Sequence, residues 1–251
     1  MTNTMINFQS YNILGIRVDA VDMETALAQM EEFIKSRKPH LVVTADASGV
    51  VMAQTDPELH RIMNSADLVT PDSTGILWAA KQLGYSLPQR VSGVDIVDLL
   101  CGRAAAGGYS VFLLGSAPGV ADAAAGELKR RYPGLNIAGC HHGYFKPEES
   151  NSIAQMVRDA KPDILFVAFG IPRQEKWITR YKREMNVPVS IGVGGTFDVI
   201  SGNVKRAPVW MQRRGLEWLH RLIMNPRKYK KCLTLPVFMA MVKKAKRRMQ
   251  G

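Results

Sequence analysis

Five segments of this chain gather glycine, proline and short polar side chains: Thr44-Ala45-Asp46, Thr70-Pro71-Asp72-Ser73, GSAPG at 115–119, GIPRQE at 170–175, and Gly192-Val193-Gly194-Gly195. Glycine lets backbone N–H groups come close to a phosphate, and a helix N-terminus just beyond favours the negative charge. Any one of these segments alone reads first as an ordinary turn between strand and helix. Five at the ends of strands of one sheet point to a nucleotide. Asp72 follows a strand and a proline, so it projects from a rigid edge. A carboxylate there could take a proton from an attacking sugar hydroxyl. It could equally cap a helix beginning near Thr74, or do both. Arg90, in LPQR, carries a fork that matches phosphate oxygens; the alternative is a surface arginine. Gln174 could bond a sugar or a diphosphate, or cap the helix it opens.

Other chemistry is excluded by pattern. There is no GxGxxG and no GxxxxGK[ST], which argues against a dinucleotide dehydrogenase or a P-loop enzyme. His141 and His142 are adjacent, and adjacent strand residues point to opposite faces, so they are expected to be structural or to give one substrate contact rather than share a metal. No D-x-D triplet offers a clasp for a metal-bound nucleotide diphosphate. A transferase without metal or other cofactor would neutralise a leaving diphosphate with Arg, Lys or backbone N–H groups.

The elements that must hold these residues alternate. Residues 11–18 suggest a strand, 23–36 a helix capped by Asp22, and 40–44 (HLVVT) a short apolar strand. Asp56-Pro57 opens a helix, since Asp caps and Pro suits the first turn. A strand at 67–70 precedes helices at 74–83 and 94–106. Strands at 110–114, 136–140, 163–169 and 189–193 then alternate with helices at 118–132, 147–160 and 173–185. Apolar strands alternating with helices predict a Rossmann-like, mainly parallel α/β sheet covered on both faces, with ligands beyond the carboxyl ends of its strands.

The 251 residues suit one large domain plus an appendage. Three cysteines, odd in number and far apart, fit a reducing compartment and hence the cytoplasm. The start lacks the features of a secretion signal, and no run is long and apolar enough to span a bilayer. The net charge of +11 is uneven: residues 203–251 hold fourteen Lys/Arg and one acid, Glu217, while residues 1–202 hold 19 basic and 21 acidic groups. A catalytic domain over 1–202 and a basic amphipathic appendage over 203–251 are therefore expected. In the appendage Trp210, Leu216, Trp218, Leu219, Leu222 and Ile223 are interleaved with Arg213, Arg214 and Arg221. That composition suits an anionic membrane surface, with apolar groups in lipid and cations at headgroups. A helix packed on the body with a solvated basic face is the plainer alternative.

The segments DLVTPDSTGILWAAKQLG, LPQRVSGVDIVDLL, VFLLGSAPGVA, HHGYF, FVAFGIPRQEKWI, IGVGGTFDVISGNVKRAPVWMQRRGLEWLHRLIMNP and RKYKK occur in that order. In them the chain resembles the WecG/TagA/CpsF glycosyltransferases over nearly its whole length. The resemblance implies a Rossmann-like core and metal-free inversion at the donor anomeric carbon. It further implies transfer of N-acetylmannosamine from UDP-N-acetylmannosamine to undecaprenyl-diphosphate-N-acetylglucosamine, which begins a wall teichoic acid linkage unit. It places the base on Asp72 and substrate contacts on Thr44, Arg90 and Gln174; Asp46, Gly194, Gly195 and Asp198 are further candidate substrate-binding residues of this chain. Arg221, Lys228 and Lys231 of the appendage would meet the lipid diphosphate at the inner face of the cell membrane. Three residues depart from the family: Asp46 for Asn, which loses a donor; Ser73 for Gly; and Lys at 228 and 231 for Arg, which loses bidentate geometry. An oligomer is compatible with this pattern, as is a membrane-bound monomer as the active form. The competing expectations are another UDP-sugar donor, such as a uronic acid, a membrane-bound scaffold with a dead active site, or a nucleic-acid-binding module. No nucleic-acid motif accompanies the basic charge, so no nucleic-acid partner is expected.

Overall fold

The computed structural model describes residue 6, residues 8–208, residues 210, 211, 217, 219 and 220, and residues 234–250. A six-stranded sheet runs in the order β4 (Leu68–Pro71), β3 (His40–Ala45), β8 (Val189–Gly192), β7 (Ile164–Ala168), β5 (Ser110–Gly115), β6 (Asn136–His141). Every neighbouring pair is parallel. Parallel strands need crossovers, and the crossovers bury both faces. This is why HLVVTA and ILFVA are buried along their whole length. Side chains alternate between two apolar clusters: Leu41, Val43 and Val167 face one side, Val42, Phe166 and Ile191 the other.

Helices α1 (Met23–Ser36), α5 (Gly93–Gly107), α6 (Val120–Arg131) and α9 (Thr196–Ile200) cover the second face. The first face carries α2 (Ala47–Ala53), α3 (Pro57–Ser65), α4 (Thr74–Gln82), α7 (Ser150–Ala160), α8 (Arg173–Met185) and α10 (Thr234–Gln250). The expected caps form: Asp22 accepts from the Thr25 N–H and Asp56 from the Leu59 N–H. The Rossmann-like expectation is met.

Three expectations need correction. Residues 11–18 are two strands, β1 (Ser10–Ile13) and β2 (Ile16–Asp19), paired antiparallel around Leu14-Gly15, both at positive φ. Helix α2 follows Asp46 directly, in a stretch to which no element was assigned from the sequence. The segment 147–160 opens as a 3-10 turn, Pro147–Glu149, before α7 begins.

The terminal helix α10 packs against α2 and α4. Phe238 and Val242 have no solvent exposure and join the first core. The Thr234 hydroxyl lies 2.9 Å from that of Ser48, and the Lys246 ammonium donates to Gln82 at 3.1 Å. In this segment the packed-helix alternative applies: one face is core, while Lys243, Lys244, Arg247 and Arg248 are exposed. Truncating Phe238 to Ala leaves a cavity and should cost about 3–5 kcal/mol of stability. Urea unfolding measures it, and an unchanged midpoint would show that α10 does not dock here.

Candidate active site

The ladder between β3 and β8 ends at Val42–Ile191, while β3 continues to Ala45 beside β4. Beyond that point β3 and β8 are no longer paired, which leaves a gap in the ladder at their carboxyl ends, the usual place for a ligand in such sheets. The Thr44 hydroxyl bridges the opening by donating to the Gly192 carbonyl at 3.0 Å. Helix α5 points its first turn into the gap. A Cβ on Gly93 would lie 3.7 Å from both Thr44 Cγ2 and Thr196 Oγ1.

Asp72 stands at the end of β4, where its backbone N–H donates to the Ala45 carbonyl at 3.0 Å. Its Oδ1 accepts from the Gly93 N–H at 3.0 Å, so the carboxylate is held by the N-terminus of α5. It does not cap α4: that cap is Ser73, whose hydroxyl accepts from the Ile76 N–H. The half-buried Asp72 is thereby oriented at the rim of the gap rather than lost in the core.

Gln174 is 3% exposed. Its Oε1 accepts from the Gly170 and Gly194 N–H groups, both at 3.0 Å, and its Nε2 donates to Glu175 at 2.8 Å. It caps its own loop and pins the Gly194 loop, and this is positioning work. Gly192 leaves room for this amide: a Cβ there would sit 2.5 Å from Gln174 Nε2 and displace it. Gly194 takes φ +55, and Gly195 immediately precedes α9. Asp198, on α9, accepts from the Ser116 hydroxyl at 3.2 Å, joining the loops after β8 and β5. Asp46 caps α2 by accepting from the Gly49 N–H at 2.6 Å. Asn caps a helix about as well as Asp, so an exchange between the two at this position preserves the local fold.

Arg90 is mostly buried and is not a plain surface arginine. It pairs with Glu217, and its Nη2 lies 3.8 Å from Asp95. Asp95, in the first turn of α5, also takes Arg206 through two contacts of 2.7 and 3.0 Å. Burial works against the Asp95 carboxylate, but Arg206 and Ser92 outweigh it and hold its pKa below the ordinary value. Burial likewise opposes the Arg206 charge, and Asp95, Glu217 and Asp72 outweigh it, so its pKa is raised. Arg206, Asp95 and Glu217 did not stand out in the sequence. Their distance apart hides them; only the isolation of Glu217 among tail cations was visible.

Arg221, Lys228 and Lys231 lie outside the described residues. Among the described residues no group of three or more His, Cys, Asp or Glu side chains gathers to hold a metal, and no helix is long and apolar enough to cross a membrane. The His141 and His142 rings lie 4.4 Å apart rather than on opposite faces, because His142 is past the end of β6; the His141 Nδ1 sits 2.8 Å from the His142 carbonyl. Cys140 is half-buried, and burial pushes its thiol up to about 11, far from a nucleophile's range.

The site therefore brings Asp72, Thr44, Gln174 and the Gly194-Gly195 loop around one gap, with Arg90 and Arg206 fixed through the first turn of α5 beside it. The chain is similar to three proteins named N-acetylglucosaminyldiphosphoundecaprenol N-acetyl-beta-D-mannosaminyltransferase. That of Bacillus spizizenii is 34% identical over 92% of this chain and 90% of its own length. That of Bacillus subtilis strain 168 is 34% identical over 83% and 80%. That of Staphylococcus aureus strain MW2 is 31% identical over 97% and 96%. With the family model matching residues 11–251 as well, the chain belongs to the glycosyl transferase WecG/TagA/CpsF family.

Proposed function

We propose that this glycosyltransferase moves N-acetylmannosamine from UDP-N-acetylmannosamine to undecaprenyl-diphosphate-linked N-acetylglucosamine, as a step towards a wall teichoic acid linkage unit. The names of the three relatives support the sugar and the lipid acceptor. The observation that carries the chemistry is the Asp72 carboxylate, held by the Gly93 N–H at the rim of the gap between β3 and β8. The acceptor 4-hydroxyl attacks the donor anomeric carbon and its proton passes to Asp72. The bond from that carbon to the diphosphate oxygen breaks, and UDP leaves with the electron pair. The Gly194 N–H is held by Gln174, so the Gly195 backbone N–H beside it and the Arg90 guanidinium meet the charge that develops, and no metal or other cofactor is assigned to the step.

The basic appendage serves this reaction at an anionic membrane surface on the cytoplasmic side, where Arg221, Lys228 and Lys231 reach the lipid diphosphate. Each cation near such a surface contributes about 1 kcal/mol. Support comes from the concentration of fourteen Lys/Arg in residues 203–251 and from the exposed cations of α10.

Asp72→Asn retains an acceptor for the Gly93 N–H but cannot take a proton. It should lower kcat/KM by about 10²–10⁴-fold, as loss of a general base does. UDP release with a lipid-linked acceptor measures this, and near-normal turnover in the folded variant would remove Asp72 from the base role. Binding to vesicles containing anionic lipid should exceed binding to neutral ones and should fall as salt rises. Replacing Arg221, Lys228 and Lys231 together with Gln should weaken it further; equal binding to both kinds of vesicle would exclude the membrane role.

A further inference from the structure

We propose that Arg206 and Arg90 form a two-guanidinium cradle for a diphosphate beside Asp72, and that Glu217 occupies this cradle until the diphosphate arrives. This use of the cradle presupposes transfer from or to a diphosphate-linked sugar.

The geometry has an inner and an outer side. On the inner side Asp95 takes Arg206 fork to fork, at 2.7 and 3.0 Å. Asp95 is in turn fixed by the Ser92 hydroxyl at 2.5 Å, and it also lies 3.8 Å from Arg90 Nη2. One carboxylate on the α5 first turn thus sets the orientation of both arginines. On the outer side the remaining edges converge on one carboxylate. Glu217 Oε2 pairs with Arg90 Nη1, and Glu217 Oε1 stands 3.9 Å from Arg206 Nε. Two oxygens of a phosphate have nearly the same spread as those of a carboxylate, and arginine forks accept either. The contact to Arg206 is long for an ion pair, so the carboxylate fills the cradle incompletely. A phosphate, larger and more highly charged, would close it.

Two further observations favour a replaceable occupant. Glu217 is the one acid in a segment with fourteen cations, so its negative charge here is not part of a mixed surface. Removing a carboxylate from a mostly buried arginine is costly unless another anion takes its place. The cradle therefore stays closed on Glu217 in the absence of ligand and exchanges it for an anion of matching shape. Asp72 contributes to holding the Arg206 charge, which sets the cradle beside the proposed base.

The test measures diphosphate affinity of the full chain by calorimetry, with UDP in one arm and farnesyl diphosphate in the other. Glu217→Gln removes the competing charge and should tighten binding about tenfold, the size of one charge-assisted contact no longer in competition. Tightening with UDP assigns the cradle to the donor, and tightening with farnesyl diphosphate to the acceptor. Unchanged or weaker binding in both arms overturns the proposal, since a purely structural Glu217 would give that result. Should Glu217→Gln not fold, Glu217→Asp, which shortens the reach, should move affinity in the same direction by a smaller factor. Adding Arg206→Gln to the Glu217 variant should abolish the gain; if the gain persists, Arg206 is not part of the cradle. Wild-type protein that binds neither ligand would overturn the cradle and the transfer chemistry together, whereas wild-type binding with no gain in the variant overturns the cradle alone.

Discussion

The Gly93 N–H reaches Asp72 Oδ1 at 3.0 Å, and this contact joins two parts of the chain that sheet pairing alone does not bring into register. Strand β4 ends at Pro71, and its partner β3 ends at Ala45. Helix α5 comes back over the opposite face, with Gly93 near Thr44 and Thr196, where a Cβ would make ordinary contact with both. If the helix shifted, the carboxylate would lose its orientation, and Asp95, which aligns both arginines, would move with it. The acid, the cations and the floor of the gap therefore share one rigid support. Ser92 caps that support by accepting from the Asp95 N–H.

The far side of the gap is built on the same logic with different residues. Gln174 is buried, and a buried amide must satisfy its hydrogen-bonding groups. It does so by taking the N–H groups of Gly170 and Gly194. Glycine at 192 leaves room for that amide. Asp198 and Ser116 tie the next loop along. Several residues that look like ligands in the sequence thus brace the loops around the opening.

The alternation of strand and helix was legible because a parallel strand buried on both faces must be apolar throughout, as in HLVVTA and ILFVA. The β1–β2 turn was not, because Leu14 rather than Asn or Asp precedes Gly15. Helix α2 escaped notice because ASGVVMA is short and holds Ser, Gly and paired Val, all modest helix formers. Its cap, Asp46, was visible, but as a candidate ligand. At the site, Asp72, Thr44 and Gln174 stood out through their place after strands, Arg90 through its guanidinium fork, and all four through resemblance. The partners of Arg90 did not. Glu217 is 127 positions away from Arg90, and no local pattern links them.

The docking of α10 has a consequence for how the chain matures. Phe238 and Val242 fill a surface of α2 and α4 that was synthesised more than 150 positions earlier. Until those residues emerge from the ribosome, the first α/β units present an uncovered apolar strip next to Ala47 and Gly75. Contacts of such long sequence separation form late and slowly. Nascent chains interrupted before α10 would accordingly leave that strip open to chaperones or proteases.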